Sequence, residues 1–331
     1  RGVFYFGMRT TRHERERLMG DLEVRRLGCS EIQAKSMGLG GAWWGTSGSE
    51  NDCIEAIHRA LDFGINYLDT YPELEPWWGK ALSGGRRKDV YLQAKITSHG
   101  PDENTVDYSA GQTRRSVEAS LQRLKTDYLD NVLIHGFGEP DDEEHQRGNV
   151  DPLAPGNALD ELTKLKEEGK IRHIGMGARN IDVLLRAIDT GQVEIVLTYL
   201  EYNLFNQTAS AELFPAVNKR DVGVLLASPL GMGLLTGDET VFERASQYSD
   251  NAINPQRVAT ARAMWEWCRQ RDLNIRHLAI QYCMAAPVQG VVLPGPATTQ
   301  QLIEAYEAAT ADISCEVWDQ FYAEFGVGIV K

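Results

Sequence analysis

The chain has no C-x-x-C pair, and its five cysteines (Cys29, Cys53, Cys268, Cys283, Cys315) lie scattered along it. An odd, dispersed set excludes a zinc ribbon or a disulfide-stapled scaffold and reads as reduced thiols in a cytoplasmic protein. No group of His, Cys and Asp residues has ligand spacing, so no metal is expected. Basic charge is in short supply: 34 Lys and Arg stand against 47 Asp and Glu, a net charge of −13. That balance argues against a nucleic-acid footprint. No apolar run is long enough to cross a membrane, and the N-terminus has no signal-peptide apolar region. What remains is a chain of ordinary globular composition, 42% hydrophobic over 331 residues. It is long enough for one large barrel or two ordinary domains. No composition shift marks a boundary. Residues 1–20 read as an N-terminal arm or a tag-derived tail, and 21–331 as one domain.

The chain is organised around Ile65 to Thr70, I-N-Y-L-D-T, a strand that delivers Asp69 to its C-terminal end. Two more apolar runs end the same way: V-Y-L-Q-A-K at Lys95 and Y-L-D-N-V-L-I-H at His135. Apolar runs followed by helical stretches predict parallel strands in βα units. If such strands close, these three residues meet at the C-terminal mouth, where barrels carry their chemistry.

The remaining pattern extends that alternation. Leu22–Leu27 and Glu31–Lys35 flank G-C-S, a hairpin signal. S-M-G-L-G-G-A-W-W-G-T ends a strand in a glycine-rich loop. Helices are predicted over Glu50–Phe63, Thr113–Leu124, Ala158–Glu168, Ile181–Ile188 and around Ser210–Asn218. Strands are predicted over Ile171–Met176, Ile195–Thr198, Val222–Leu226 and Gly290–Leu293. Gly231–Asn254 reads as a long loop. Pro255–Gln270, Ile275–Ala285, Thr299–Thr310 and Glu316–Phe325 read as helices. The fold class is α/β: a (β/α)8 TIM barrel with an N-terminal β-hairpin and extra C-terminal helices.

The stretch Q-T-R-R-S-V-E-A-S-L-Q-R-L-K-T-D-Y-L-D-N-V-L-I-H (112–135) resembles the aldo-keto reductases. So do M-G-L-G-G (37–41), A-L-D-F-G-I-N-Y-L-D-T (60–70), K-E-E-G-K-I-R-H-I-G (166–175), S-P-L-G-M-G-L-L-T-G (228–237) and V-V-L-P-G (291–295). In this order and spacing the match spans roughly Leu22 to Ala309. G-M-G-A-R-N looks like the sugar dehydrogenase branch, that of D-threo-aldose and L-galactose dehydrogenases. The resemblance implies a nicotinamide cofactor, NAD or NADP, over the barrel mouth and a tetrad of Asp, Tyr, Lys and His. Asp69, Lys95 and His135 map onto three members. It implies that Asp69 keeps Lys95 charged, that Lys95 tunes a proton donor, and that His135 orients the substrate oxygen. Implied cofactor contacts are Gly41, Trp43, Asp69, Tyr199, Ser228, Leu230, Gly295, Gln301 and Glu304.

Two departures matter. The family tyrosine belongs five residues after the aspartate, in D-T-x-x-x-Y-G-x-S-E-x-x-L-G-x-A-L. Here that position is Leu74, and the connector to G-K-A-L is three residues short. His135 is the expected acid–base residue, with Tyr71 second and Glu73 and Glu75, read as solvated, behind. Gly295 and Gln301 stand where a basic pair would hold a 2′-phosphate, which leans toward NAD. Gly177-Ala178 replaces the pair that holds the carboxamide, with Tyr199 expected to stack and Arg179 or Asn180 to replace a polar contact.

Trp43, Trp44 and Trp77, with His135, are the expected substrate pocket, since aromatics suit sugar-like faces. His58, His173 and His277 read as structural, His99 and His145 as loop residues, and D-D-E-E (141–144) as a solvated run. The leading function is a nicotinamide-dependent oxidoreductase on a sugar or sugar-like, polyhydroxylated small molecule. The competing one is a redox-neutral isomerase, epimerase or lyase that keeps its cofactor, or a non-catalytic nicotinamide-binding subunit. The oligomeric state, a homo-oligomer included, stays open at this level.

Overall fold

The computed structural model describes residues 21–44, 48–96, 107–138, 150–245 and 253–329. The N-terminal arm, His99, His145 and the 141–144 run lie outside the described residues. The hairpin pairs β1 (Val24–Arg26) with β2 (Gln33–Lys35), Arg25 opposite Ala34. Its turn needs Gly28, which sits at φ +58 with its Cβ position 2.0 Å from the Gly223 nitrogen. Neither the conformation nor the space suits a side chain.

Eight parallel strands follow: β3 (Leu39–Gly40), β4 (Tyr67–Asp69), β5 (Tyr91–Ile96), β6 (Leu129–His135), β7 (Ile171–Gly177), β8 (Ile195–Tyr199), β9 (Gly223–Ala227) and β10 (Gly290–Leu293). Each pairs with the next in chain order. The seam between β3 and β10 is closed by a parallel bridge from Met37 to Val292. Gly38 donates to the Val292 carbonyl at 2.9 Å, and Val292 donates back to Ser36 at 3.0 Å. The expected barrel is therefore present.

Strand parity sorts the side chains into two cores. Leu68, Leu92, Ala94, Val132, Ile134, Val196, Val224, Leu226 and Val292 face the helices. Tyr67, Leu133, Ile195, Leu197, Leu225, Val291 and Leu293 face inward, joined by Leu27, Ile32 and Ala34 of the hairpin segment. Leu27 and Ile32 are fully buried, worth about 1.5–3 kcal/mol each. The hairpin is thus a plug in the N-terminal end.

The helices are α1 (Glu50–Asp62), α2 (Glu75–Ala81), α3 (Ala110–Leu124), α4 (Ala158–Glu167), α5 (Ile181–Asp189), α6 (Leu213–Arg220), α7 (Thr240–Arg244), α8 (Pro255–Arg269), α9 (Ile275–Met284), α10 (Thr299–Thr310) and α11 (Cys315–Phe325). Polar caps set their starts: a capping box of Ser49 and Asp52 for α1, Ser109 for α3, Asn180 for α5 and Thr298 for α10. α6 starts later than the sequence pattern places it, because Thr208–Ser210 form a separate 3-10 turn. The expected loop Gly231–Asn254 contains α7. Asp238 accepts from the Thr240 backbone at 2.9 Å, and Val241 and Phe242 are buried, enough to order a short helix there. No helix among the described residues is long and apolar enough to cross a membrane.

Candidate active site

Because Leu68 and Leu92 face the helices, Asp69 and Lys95 must face the barrel axis. Both are buried, at 4% and 2% exposure. The Lys95 ammonium donates to Asp69 Oδ1 and to the Thr70 carbonyl, the latter at 2.9 Å. Burial lowers the Lys95 pKa, and the ion pair with Asp69 opposes that shift without reversing it. Asp69 thus acts to keep the ammonium charged, against a desolvation that is the larger of the two effects.

Tyr71 sits on this pair. Its ring centroid is 3.7 Å from Lys95 Nζ. It meets the His135 ring edge-on, centroids 5.9 Å apart at 84°. His135 stacks in turn beside Tyr199, 6.3 Å apart at 18°. Room for the imidazole comes from β7. A Cβ on Gly177 would stand 2.9 Å from His135 Cδ2, and one on Gly175 would stand 2.4 Å from Leu133 Cδ2. The four residues expected to do the chemistry therefore lie together at the ends of β4, β5 and β6.

One layer below lies a group the sequence analysis did not single out. Gln93 donates to Asp69 Oδ1 at 2.5 Å, while its carbonyl accepts from Tyr67 at 2.7 Å and Asn131 at 2.6 Å. All three side chains are fully buried. Strand parity would have placed them inward, but parity alone says nothing of their bonds. Glu75 was expected to be solvated and is not. It is fully buried and pairs with Arg123 Nε at 2.7 Å. Burial pushes its carboxyl above the usual range, against the pull of Arg123.

The aromatic pocket changes membership. Trp44 is completely buried in the helix-side core, so it lines no pocket, and Trp77 packs half-buried against the same layer. Trp43 is 43% exposed. A Cβ on Gly295 would stand 2.9 Å from its ring, so these two expected cofactor contacts adjoin. Ser228 and Leu230 lie in the turn after β9, where Ser228 is left-handed at φ 56 and Gly231 donates back to its carbonyl at 3.0 Å. A Cβ on Gly41 would stand 2.7 Å from the Asp69 carbonyl, tying the β3 end to the site. The Gln301 side-chain carbonyl accepts from the Ala297 backbone at 2.7 Å. Glu304 pairs with Arg276 at 2.6 Å, and Arg276 also donates to the Thr236 carbonyl at 2.9 Å. Arg276 lies on α9, far in sequence from the last strand, so no local signal marked it. Asn180 is occupied as the α5 cap and by the Gly138 carbonyl. Arg179 is buried and pairs with Glu201 at 3.2 Å.

Residues 36–323 match the model of the aldo/keto reductase family. The chain is 29% identical over 305 residues to L-galactose dehydrogenase of Arabidopsis thaliana, covering 88% of this chain and 89% of that protein. It is 26% identical over 301 residues to D-threo-aldose 1-dehydrogenase of a Pseudomonas species, covering 82% and 87%. A solved aldo-keto reductase from Bacillus halodurans, in its holo form, superposes with a TM-score of 0.70 at 25% identity, covering 94% of this chain and 98% of that one. With eight parallel strands bringing Asp69, Lys95 and His135 to one mouth, the chain belongs to the aldo/keto reductase family of NAD(P)-dependent oxidoreductases.

Proposed function

We propose that the protein interconverts a carbonyl and an alcohol on a sugar-like substrate, with Tyr71 exchanging the proton and His135 orienting the substrate oxygen. The observation that carries this reading is the Tyr71 ring lying 3.7 Å from the Lys95 ammonium and edge-on to His135. A positive charge against the ring stabilises the negative charge that develops on a phenol oxygen as its proton leaves. His135 has ring nitrogens suited to a hydrogen bond with the same substrate oxygen. The order of preference between these two residues is thus the reverse of the sequence-based expectation. Counting back from Gly79 supports it: the family pattern places its tyrosine eight residues before that glycine, at Tyr71, and its glutamate at Glu75.

The residues present fit a dinucleotide across the mouth. α10 is a 12-residue helix whose Thr298-capped start follows β10, the place where this fold binds phosphate groups. Gly295 lies between β10 and that start, Ser228 and Leu230 follow β9, the strand paired with β10, and Tyr199 offers a ring face beside His135. The nicotinamide supplies and accepts hydride; the protein's part is to hold, orient and protonate. NAD is favoured over NADP because Gln301 carries no charge and Arg276 is committed to Glu304. A titration of both cofactors by fluorescence checks this. A hundredfold preference for NADP, about 2.7 kcal/mol, would overturn it. The sugar-like substrate rests on the names of the two relatives, L-galactose and D-threo-aldose dehydrogenase.

The test of the mechanism is a pair of variants assayed with L-galactose and NAD. Tyr71→Phe should lower kcat by roughly a hundredfold or more, while His135→Ala should act chiefly on KM. If His135→Ala abolishes turnover and Tyr71→Phe does not, the imidazole is the acid–base group. If neither matters, the proton does not come from this site.

A further inference from the structure

We propose that Gln93, clamped by Tyr67 and Asn131, is a positioning residue that fixes the Asp69 carboxylate on Lys95. This rests on the reading of Tyr71 as the proton donor. The interior of the barrel is divided. On β8, β9 and β10 the inward residues are Ile195, Leu197, Leu225, Val291 and Leu293. On β4, β5 and β6, directly beneath the site, they include Tyr67, Gln93 and Asn131, all with no exposed surface. Packing alone would be served by apolar side chains, since buried polar groups cost free energy unless bonded. Here the bonds run in one direction. The Asp69 carboxylate only accepts hydrogen bonds, so the end of Gln93 facing Oδ1 at 2.5 Å must be its N–H. The far end is then the carbonyl, and it meets two donors, Tyr67 at 2.7 Å and Asn131 at 2.6 Å. The amide has one orientation and presents it to Asp69.

The effect passes to Lys95 through the shared atom, because Asp69 Oδ1 accepts from both Gln93 and Lys95. Lys95 has almost no exposed surface and depends on Asp69 to hold its charge against burial. The groups facing it are Asp69 on β4, Tyr71 and Glu73 on the following loop, and Glu75 on α2 backed by Arg123 on α3, with His135 on β6 against the Tyr71 ring. Release of the carboxylate from Gln93 lets it rotate away from the ammonium. The lysine then loses its proton at a lower pH, and the phenol above it loses a stabilising charge.

The experiment follows the ionisation of Tyr71 by ultraviolet difference absorbance, each protein measured against the same protein carrying Tyr71→Phe. It needs no substrate. The triple variant Tyr67→Phe, Gln93→Met, Asn131→Leu removes the amide together with the two donors that hold its carbonyl, so that Asp69 alone loses a bond. Tyr67→Phe alone removes one donor and serves if the triple variant does not fold. In the triple variant Tyr71 should ionise about one pH unit higher, with Tyr67→Phe moving it part of the way. An unmoved titration in a folded variant overturns the proposal. Lys95→Met separates the two levels. If it too leaves the Tyr71 titration unmoved, the reading of the site itself fails. If it moves the titration and the clamp variants do not, only the role of Gln93 fails.

Discussion

Glu75 is a carboxyl with no exposed surface, held by Arg123 and within 3.5 Å of the Thr70 hydroxyl. Its proton affinity is raised by burial, so the folded chain binds that proton more tightly than the unfolded chain does. By linkage, its contribution to stability is complete below the ordinary carboxyl value of 4.5 and is lost as pH rises through the raised value. Glu75→Gln has no proton to lose. Melting curves of parent and variant across pH 4 to 8, roughly the window set by that direction, should show the difference moving in favour of Glu75→Gln as pH rises. A difference that stays constant with pH would show that Glu75 titrates like an exposed carboxylate. At this scale the sequence was a partial guide. It placed Asp69, Lys95 and His135, because strand ends and parity are local properties. It misplaced Glu75, since nothing within a few residues announces an arginine 48 positions away.

At the scale of elements, the site depends on how α2 seats. The Leu74 and Glu75 amides donate to the Tyr71 carbonyl at 3.0 and 3.1 Å, so the tyrosine backbone is bonded to the start of that helix. α2 reaches α3 through Gly79. A Cβ there would meet the Arg123 carbonyl oxygen at 2.7 Å and the Leu124 carbonyl carbon at 2.8 Å, backbone that cannot step aside. Gly79→Ala should therefore cost about 1–3 kcal/mol by overpacking. Urea unfolding measures it, and a loss under about 0.5 kcal/mol would mean the two helices slide apart freely. The shortened connector also explains why the tyrosine was hard to place from sequence. Counting forward from Asp69 gives Leu74 and counting back from Gly79 gives Tyr71. Only the packed helix favours the second count.

At the scale of the whole molecule, alternation of strand and helix made the barrel legible from the sequence. The bonds that close it were not, because Met37, Gly38 and Ser36 find β10 across most of the chain. The same holds for Arg276, whose partner Glu304 sits on another helix. The hairpin was legible as a hairpin, but its place was not: Leu27, Ile32 and Ala34 fill the N-terminal end of the barrel beside Tyr67, Ile195 and Val291.

That plug makes the interior a blind alley. Among the described residues the hairpin side chains fill that end, which leaves the mouth as the doorway for arrivals and departures. Whatever lies deepest across it comes first and leaves last. Product-inhibition kinetics should show the two forms of the dinucleotide competing with each other for the empty protein and the organic product competing with neither. A random order of entry would mean that the mouth is wide enough for two molecules to pass.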